Sequence, residues 1–363
     1  MNREREAWVA LHLAPGASGR RKRTLLEAFG SPEAVLAESP DRIAGLLPLG
    51  GGRAGGLHPR EGRAAKVLAD LFRAGGDLLV WNDEDYPPLL KETYDPPLVL
   101  FLKGNREALR RRTVGIVGAR KADPDAADWT SSMAEVLARS GFSVVSGLAE
   151  GIDGAAHRGA LRGGGTTVAV LGTGLDQVYP VAHGDLAREI TENGVLLTEF
   201  PPGTGPRPAH FPRRNRIIAG LSSAVLVAQA AERSGAGITA RLALESSRDV
   251  FVLAAPPWDE RFAGNRRLAR EGAAVVQDGE EVALRLGVTP VEGGASGRPS
   301  LELLGGDERA VASLLEEGPR RADEICRETG KGAADVLAIL MALELGGWVT
   351  ERPGGNYAIR GAS

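Results

Sequence analysis

Between residues 113 and 287 the apolar positions fall into short β-rich runs at 114–117, 143–145, 167–171, 195–197, 224–228 and 250–253, separated by longer stretches with helical spacing. A strand buried on both faces reads as a continuous apolar run, and a helix between two such strands carries the chain across the sheet. The alternation therefore predicts a parallel sheet covered on both sides. Several runs empty into glycine-containing or polar loops: Gly118-Ala119-Arg120, Ser146-Gly147-Leu148-Ala149, Gly172-Thr173-Gly174 and Glu232-Arg233-Ser234-Gly235. In an open parallel sheet those loops share the carboxyl edge, where ligands bind.

The flanks carry other patterns. Ahead of the alternating region, Leu11, Leu13, Leu25, Leu26 and Phe29 are interrupted at Pro15-Gly16 and Gly30-Ser31-Pro32, which predicts short helices. A glycine-rich stretch at 49–56 precedes a further helix near 63–73, and Asp85-Tyr86-Pro87-Pro88 and Asp95-Pro96-Pro97 bracket an extended segment, because proline disfavours helix at the residue before it. Residues 289–300 are rich in Gly, Pro and Ser without apolar periodicity, the pattern of a flexible linker. Beyond them, helices near 307–316, 322–328 and 333–345 lead into Trp348-Val349-Thr350, a turn at Pro353-Gly354-Gly355, and Tyr357-Ala358-Ile359. Three helices followed by a hairpin describe a winged helix-turn-helix. The expected fold class is α/β: a small helical module (SAM or helix-hairpin-helix-like) at 1–80, an extended connector at 81–112, a Rossmann-like parallel-sheet domain at 113–288, a linker at 289–300 and a winged-helix domain at 301–363.

Composition narrows the function. The 363 residues carry a formal net charge of -3, so a nucleic-acid site has to come from basic residues gathered locally. The single cysteine, Cys326, excludes an intrachain disulfide framework and a cysteine-rich zinc site, and is read as a core residue. With no long apolar run for a membrane span or secretory signal, the expected location is the reducing cytoplasm.

The arginines gather at Phe211-Pro212-Arg213-Arg214-Asn215-Arg216. They open a helix whose free amide groups favour anions, and Phe211 beside them offers a ring on which an unpaired base stacks. The combination suits single strands; its alternative is a solvated arginine face on an ordinary helix. Arg207 and His210 extend the basic character upstream, whereas Arg110-Arg111-Arg112 reads as a solvated face. Arg120 follows Gly118, where a glycine lets backbone amides approach a phosphate; the spacing is not G-x-G-x-x-G, and a tight turn with a surface arginine fits it as well. Asp153 and His157 lie four apart and are read as a capping aspartate with a packed histidine in preference to an acid/base pair, since no nucleophile or metal-ligand cluster accompanies them. Residues 234–239 are similar to the P-G-G-x-G-T-x-x-E turn of phosphoribohydrolases that cleave nucleoside monophosphates. The position of the catalytic glutamate is Leu242, which weakens this alternative, an enzyme acting on nucleotides.

Several segments occur in succession over residues 85–273: Tyr86-Pro87; Asp95-Pro96-Pro97-Leu98-Val99-Leu100-Phe101; V-G-A-R at 117–120; S-G-L-A-x-G-I-D-x-x-A-H at 146–157; Tyr179-Pro180; F-P-x-R-N-R-I-I-A-G at 211–220; and S-G-x-x-I-T-A at 234–240. In this order and spacing the chain resembles the DprA/Smf family of DNA-processing proteins. The resemblance implies a homodimer that binds single-stranded DNA and helps load RecA recombinase in natural transformation and DNA recombination, without catalysis and with no cofactor or metal. The DNA-binding residues it implies are Arg120, Phe211, Arg214 and Asn215, with the Ser146-Gly147 turn alongside; the chemistry of their own loops adds Gly118, Arg213 and Arg216 to the expected DNA-binding set. Loss of Arg120 or Arg214 is expected to cost DNA affinity and leave the fold intact. The chain also departs from the family: Val181 stands where relatives often carry a basic residue, Glu150 is acidic, and Ala254-Ala255-Pro256-Pro257 replaces V-P-G. The helix at 333–345 is apolar or acidic, with only Lys331, Arg352 and Arg360 near it, so protein contact is expected of the winged helix ahead of weak duplex DNA contact.

Overall fold

All six apolar runs become neighbouring strands of one sheet in the computed structural model, which describes residues 3–15, 17–46, 57, 60–254, 258–289, 304–316, 318–345, 348–352 and 355–359. The sheet holds β1 (Asp77–Val80), β2 (Val99–Gly104), β3 (Thr113–Val117), β4 (Ser143–Ser146), β5 (Thr167–Val170), β6 (Val195–Thr198), β7 (Ala224–Val227), β8 (Asp249–Leu253) and β9 (Ala274–Val276). Their spatial order is β1-β2-β6-β5-β4-β3-β7-β8-β9. From β6 to β9 every pairing is parallel, with Val114 of β3 opposite Val144 of β4 on one side and Ala224 of β7 on the other. β2 runs antiparallel to both β1 and β6. The chain leaves β3 toward β4 and, after β6, returns to pair β7 against the other side of β3, so the strand order reverses there and the following loops diverge into a crevice at the carboxyl edge.

The strands are apolar throughout because helices cover both faces. One face packs Val114, Ile116 and Val144 against Met133 and Leu137 of the helix Pro124–Arg139 and Ile152 of the helix Ile152–Arg162. The other packs Val145, Val168, Val225 and Val227 against Ile217 and Ile218 of the helix His210–Leu221 and Ala240 of the helix Gly235–Glu245.

The first 112 residues share this body. One compact unit spans Met1–Val291 and a second spans Glu292–Ser363. The N-terminal helices bury Trp8, Leu11, Leu25, Leu68 and Leu71 in one cluster with Phe101 of β2, Leu171 and Leu196 of β6. The segment at 81–112 supplies β2 and, with β1, extends the sheet, so it works as sheet edge as well as connector.

In the second unit the helices Gly306–Glu316, Ala322–Thr329 and Ala333–Leu345 pack on a three-stranded sheet of β10 (Arg320–Arg321), β11 (Val349–Arg352) and β12 (Asn356–Ile359), ordered β10-β12-β11. Val311, Leu315, Ile325, Val336, Leu340, Leu343 and Val349 form its core, with the half-buried Cys326 packed against it. Residues 290–300 of the linker expected at 289–300, the glycine-rich stretch at 49–56, residues 353–354 of the expected turn, Arg360 and Ala255-Pro256-Pro257 of the departure lie outside the described residues.

Candidate nucleic-acid interface

The helix His210–Leu221 holds its place by turning Ile217, Ile218 and Leu221 inward, and Pro212 sits in its first turn, where the missing amide costs nothing. Its arginines do unequal work. Glu199, immediately after β6, has a side chain with 1% of its surface exposed, and its carboxylate accepts hydrogen bonds from Arg213 at 3.0 and 2.9 Å and from Arg216 at 2.6 Å. Arg216 also donates to the Asp95 carbonyl at 2.6 Å, whereas Arg213 keeps 57% of its side chain exposed and lies over the Phe200 ring. A buried carboxylate needs such partners, since an unpaired buried charge is costly. Glu199 was missed in the sequence reading; its signal there is a lone acid between a buried strand and Phe200-Pro201.

Arg214 is 4% exposed, and its guanidinium donates to the carbonyls of Gly147 and Val170, tying the ends of β4 and β5 together. Burial lowers its pKa to about 10 against the opposing pull of nearby Asp153, which leaves it charged at neutral pH. The expectation that Arg214 is a surface contact whose loss spares the fold is corrected here: its hydrogen bonds go to the backbone beneath the surface.

The Ser146-Gly147 turn belongs to the same frame. The Ser146 hydroxyl donates to the Ile116 carbonyl at 2.6 Å, and the amides of Gly147 and Ala149 donate to Asp153 at 3.1 and 3.3 Å. A Cβ at position 147 would stand 2.0 Å from Arg214, so only glycine fits. Asp153 is therefore not the cap of its own helix, a place taken by Gly151; it braces the loop before it, and burial raises its pKa. His157 is buried with Nδ1 at 2.7 Å from the Thr167 hydroxyl, and burial lowers its pKa to about 3, so it is neutral at physiological pH. Both residues are engaged, separately, in holding the strand ends.

The surface is made by what remains. Gly118 has Ile152 only 2.5 Å from where a Cβ would lie, which seats the β3 loop tightly on the next helix. Arg120, exposed on that loop, forms no ion pair with any described residue, and its guanidinium carbon lies 5.0 Å from the centroid of the half-buried Phe211 ring. Phe211 fits because position 172 is glycine, where a Cβ would approach the ring to 3.0 Å. Asn215, half-buried, accepts from Arg214 at 3.2 Å and reaches the Gly235 carbonyl at 3.4 Å, linking the arginine helix to the turn after β7. In that turn Ser234 caps the helix Gly235–Glu245, and Leu242 packs against the core where the phosphoribohydrolase pattern has its acid. The two departures near the site, Glu150 and Val181, are exposed. Among the described residues no group of His, Cys, Asp and Glu is placed to hold a metal ion, and no helix is long and apolar enough to cross a membrane.

Comparison with known proteins matches this architecture. Residues 77–287 match the family model of DNA recombination-mediator protein A, and 296–355 match the DprA winged helix domain. Protein Smf of Synechocystis is 38% identical over 99% of this chain and 100% of its own, and DNA processing protein DprA of Streptococcus pneumoniae is 44% identical over 55% of this chain and 71% of its own. Among solved structures, DprA from Streptococcus pneumoniae superposes with a TM-score of 0.66 at 34% identity, covering 77% of this chain and 97% of the other. DNA processing protein A from Helicobacter pylori, described for its single-stranded DNA binding mode, gives 0.53 at 30% identity over 58% and 95%. With a catalogue of buried turns, a matching sheet and both modules accounted for, this chain belongs to the DprA/Smf family of DNA-processing proteins.

Proposed function

We propose that the carboxyl edge of the sheet binds single-stranded DNA and that the protein, as a cytoplasmic homodimer, helps load RecA recombinase onto it in DNA recombination and natural transformation. The observation that carries this reading is Arg120: exposed, without a carboxylate partner among the described residues and resting on Phe211, it offers one charge for a phosphate beside one ring for a base. Asn215 and the outer part of Arg213 extend the contact surface, while Gly118, Ser146, Gly147, Arg214 and Arg216 hold it in shape. The role is binding and not catalysis: of the acid/base candidates, Asp153 is buried with one carboxylate oxygen accepting the loop amides, and His157 is wholly buried with its Nδ1 on Thr167. In the winged helix, Lys331 is paired with Asp307 at 2.8 Å, and Ala334, Leu337, Ala338 and Met341 form an exposed apolar stripe, which favours protein contact over duplex DNA.

Titration of labelled single-stranded and duplex oligonucleotides against salt tests the assignment. Preference for the single strand is expected, with affinity falling on a log-log plot by about 0.7 for each phosphate neutralised. Equal affinity for duplex, or binding insensitive to salt, would overturn it.

A further inference from the structure

Beside the Arg120–Phe211 pair, the segment that follows β5 presents a second aromatic ring. Tyr179 is 42% exposed, and its ring centroid lies 5.6 Å from that of Phe211 at an interplanar angle of 45°. Its hydroxyl has no hydrogen-bond partner among the described residues, and the ring belongs to none of the buried clusters. Apart from this edge of Phe211, no packing cluster or polar contact among the described residues accounts for a large aromatic there.

The backbone around it is fastened. Leu175 is buried, the Thr173 hydroxyl donates to the Gln177 carbonyl at 2.5 Å, and the Gly174 amide donates to the Thr204 carbonyl at 2.9 Å. On the far side, His183 is buried with Nδ1 at 3.0 Å from the Leu148 carbonyl. An exposed ring on an anchored segment keeps its orientation, so little order has to be imposed on it when a ligand arrives. The following side chain, Val181, is 84% exposed and uncharged, so it adds apolar surface beside the ring.

We infer that Tyr179 is a base-stacking residue of the site, receiving a base next to a phosphate held by Arg120, with Phe211 as the neighbouring ring. This rests on the single-stranded DNA reading above. At 45° the two rings cannot sandwich one flat base, so they act as adjacent steps. Stacking on a step requires a base whose face is free, which a duplex interior does not offer, and it is tolerant of sequence because every base has a π-face. The two contacts then divide the work: Arg120 contributes the salt-dependent part of binding, and Tyr179 contributes affinity that salt does not remove and discrimination against duplex.

The test uses the full chain carrying Tyr179→Leu or Tyr179→Phe, with fluorescence anisotropy on a thymidine oligonucleotide and on an abasic strand of equal length. Tyr179→Leu is expected to weaken oligonucleotide binding roughly 5- to 100-fold, with the salt slope of the unsubstituted chain and no change on the abasic strand. Tyr179→Phe, which keeps the ring, stays within about twofold. Photo-cross-linking of a 5-iodouracil strand to the unsubstituted chain should label the peptide containing Tyr179. A folded Tyr179→Leu protein with unchanged affinity, an equal loss on the abasic strand, or cross-links confined to other peptides would overturn the inference. If the unsubstituted chain shows no preference for unpaired strands, the site assignment itself falls, and that outcome is visible before any substitution is made.

Discussion

Two helices of similar length, His210–Leu221 and Ala333–Leu345, invert the usual rule for charged and apolar surfaces in opposite ways. The first is rich in arginine, yet Arg214 is buried and Arg213 and Arg216 are bound to Glu199. The second is nearly free of charge, yet Leu337 is 50% and Met341 64% exposed. A cluster of arginines in a sequence thus measures the demand for positive charge and does not say who makes the demand; here strand-end carbonyls and a buried carboxylate take most of it. Arg120, which has no ion pair among the described residues, stands on a neighbouring loop as a cation left for a ligand. An apolar stripe left in the open is the feature behind the protein contact proposed above for the winged helix.

The comparison is broken most directly at Arg214. Arg214→Ala should lose about 3–5 kcal/mol of unfolding free energy in urea denaturation, since it strands two backbone carbonyls and leaves Asp153 without its nearby positive charge. A melting curve like that of the unsubstituted chain would return Arg214 to the surface. Arg120→Ala should do the reverse: about 1–3 kcal/mol of single-strand affinity lost by anisotropy titration, a salt slope lower by about 0.7, and unchanged stability. The smallest effect is expected from removal of residues 292–363. Because 1–291 is a compact unit of its own, the shortened chain should remain folded by circular dichroism and bind single strands within about 1 kcal/mol of the full chain. A loss beyond about 2 kcal/mol would make the winged helix a principal DNA site.

The parallel core was legible because its strands are buried on both faces, which leaves no polar alternation to confuse the reading: 143–145 and 195–197 each fall within a residue of β4 and β6. β1, β2 and β9 were not read as strands. The first two are separated by a proline-bracketed segment, and β9 is three residues long with Val275 exposed. The chemistry of the site was legible as residue type and not as depth. Arginine at 120, 213, 214 and 216 looks alike in a sequence; the number of carbonyls and carboxylates waiting beneath each is set by contacts such as Arg213 with Glu199, between separate elements of the fold. Asp153 showed the same limit: its position near a helix start was clear, and the amides it serves, those of Gly147 and Ala149, lie in the preceding loop.

Gly147 and Arg214 occupy each other's space: the guanidinium fills the volume that any side chain at 147 would claim. The two segments that carry them, 67 positions apart, are therefore constrained by one another. A lineage that replaces the glycine has to surrender the arginine, and one that surrenders the arginine leaves a hole and unpaired carbonyls until position 147 fills it. Either single step passes through a less stable protein, so descent along this family tree should move the pair together or leave it untouched.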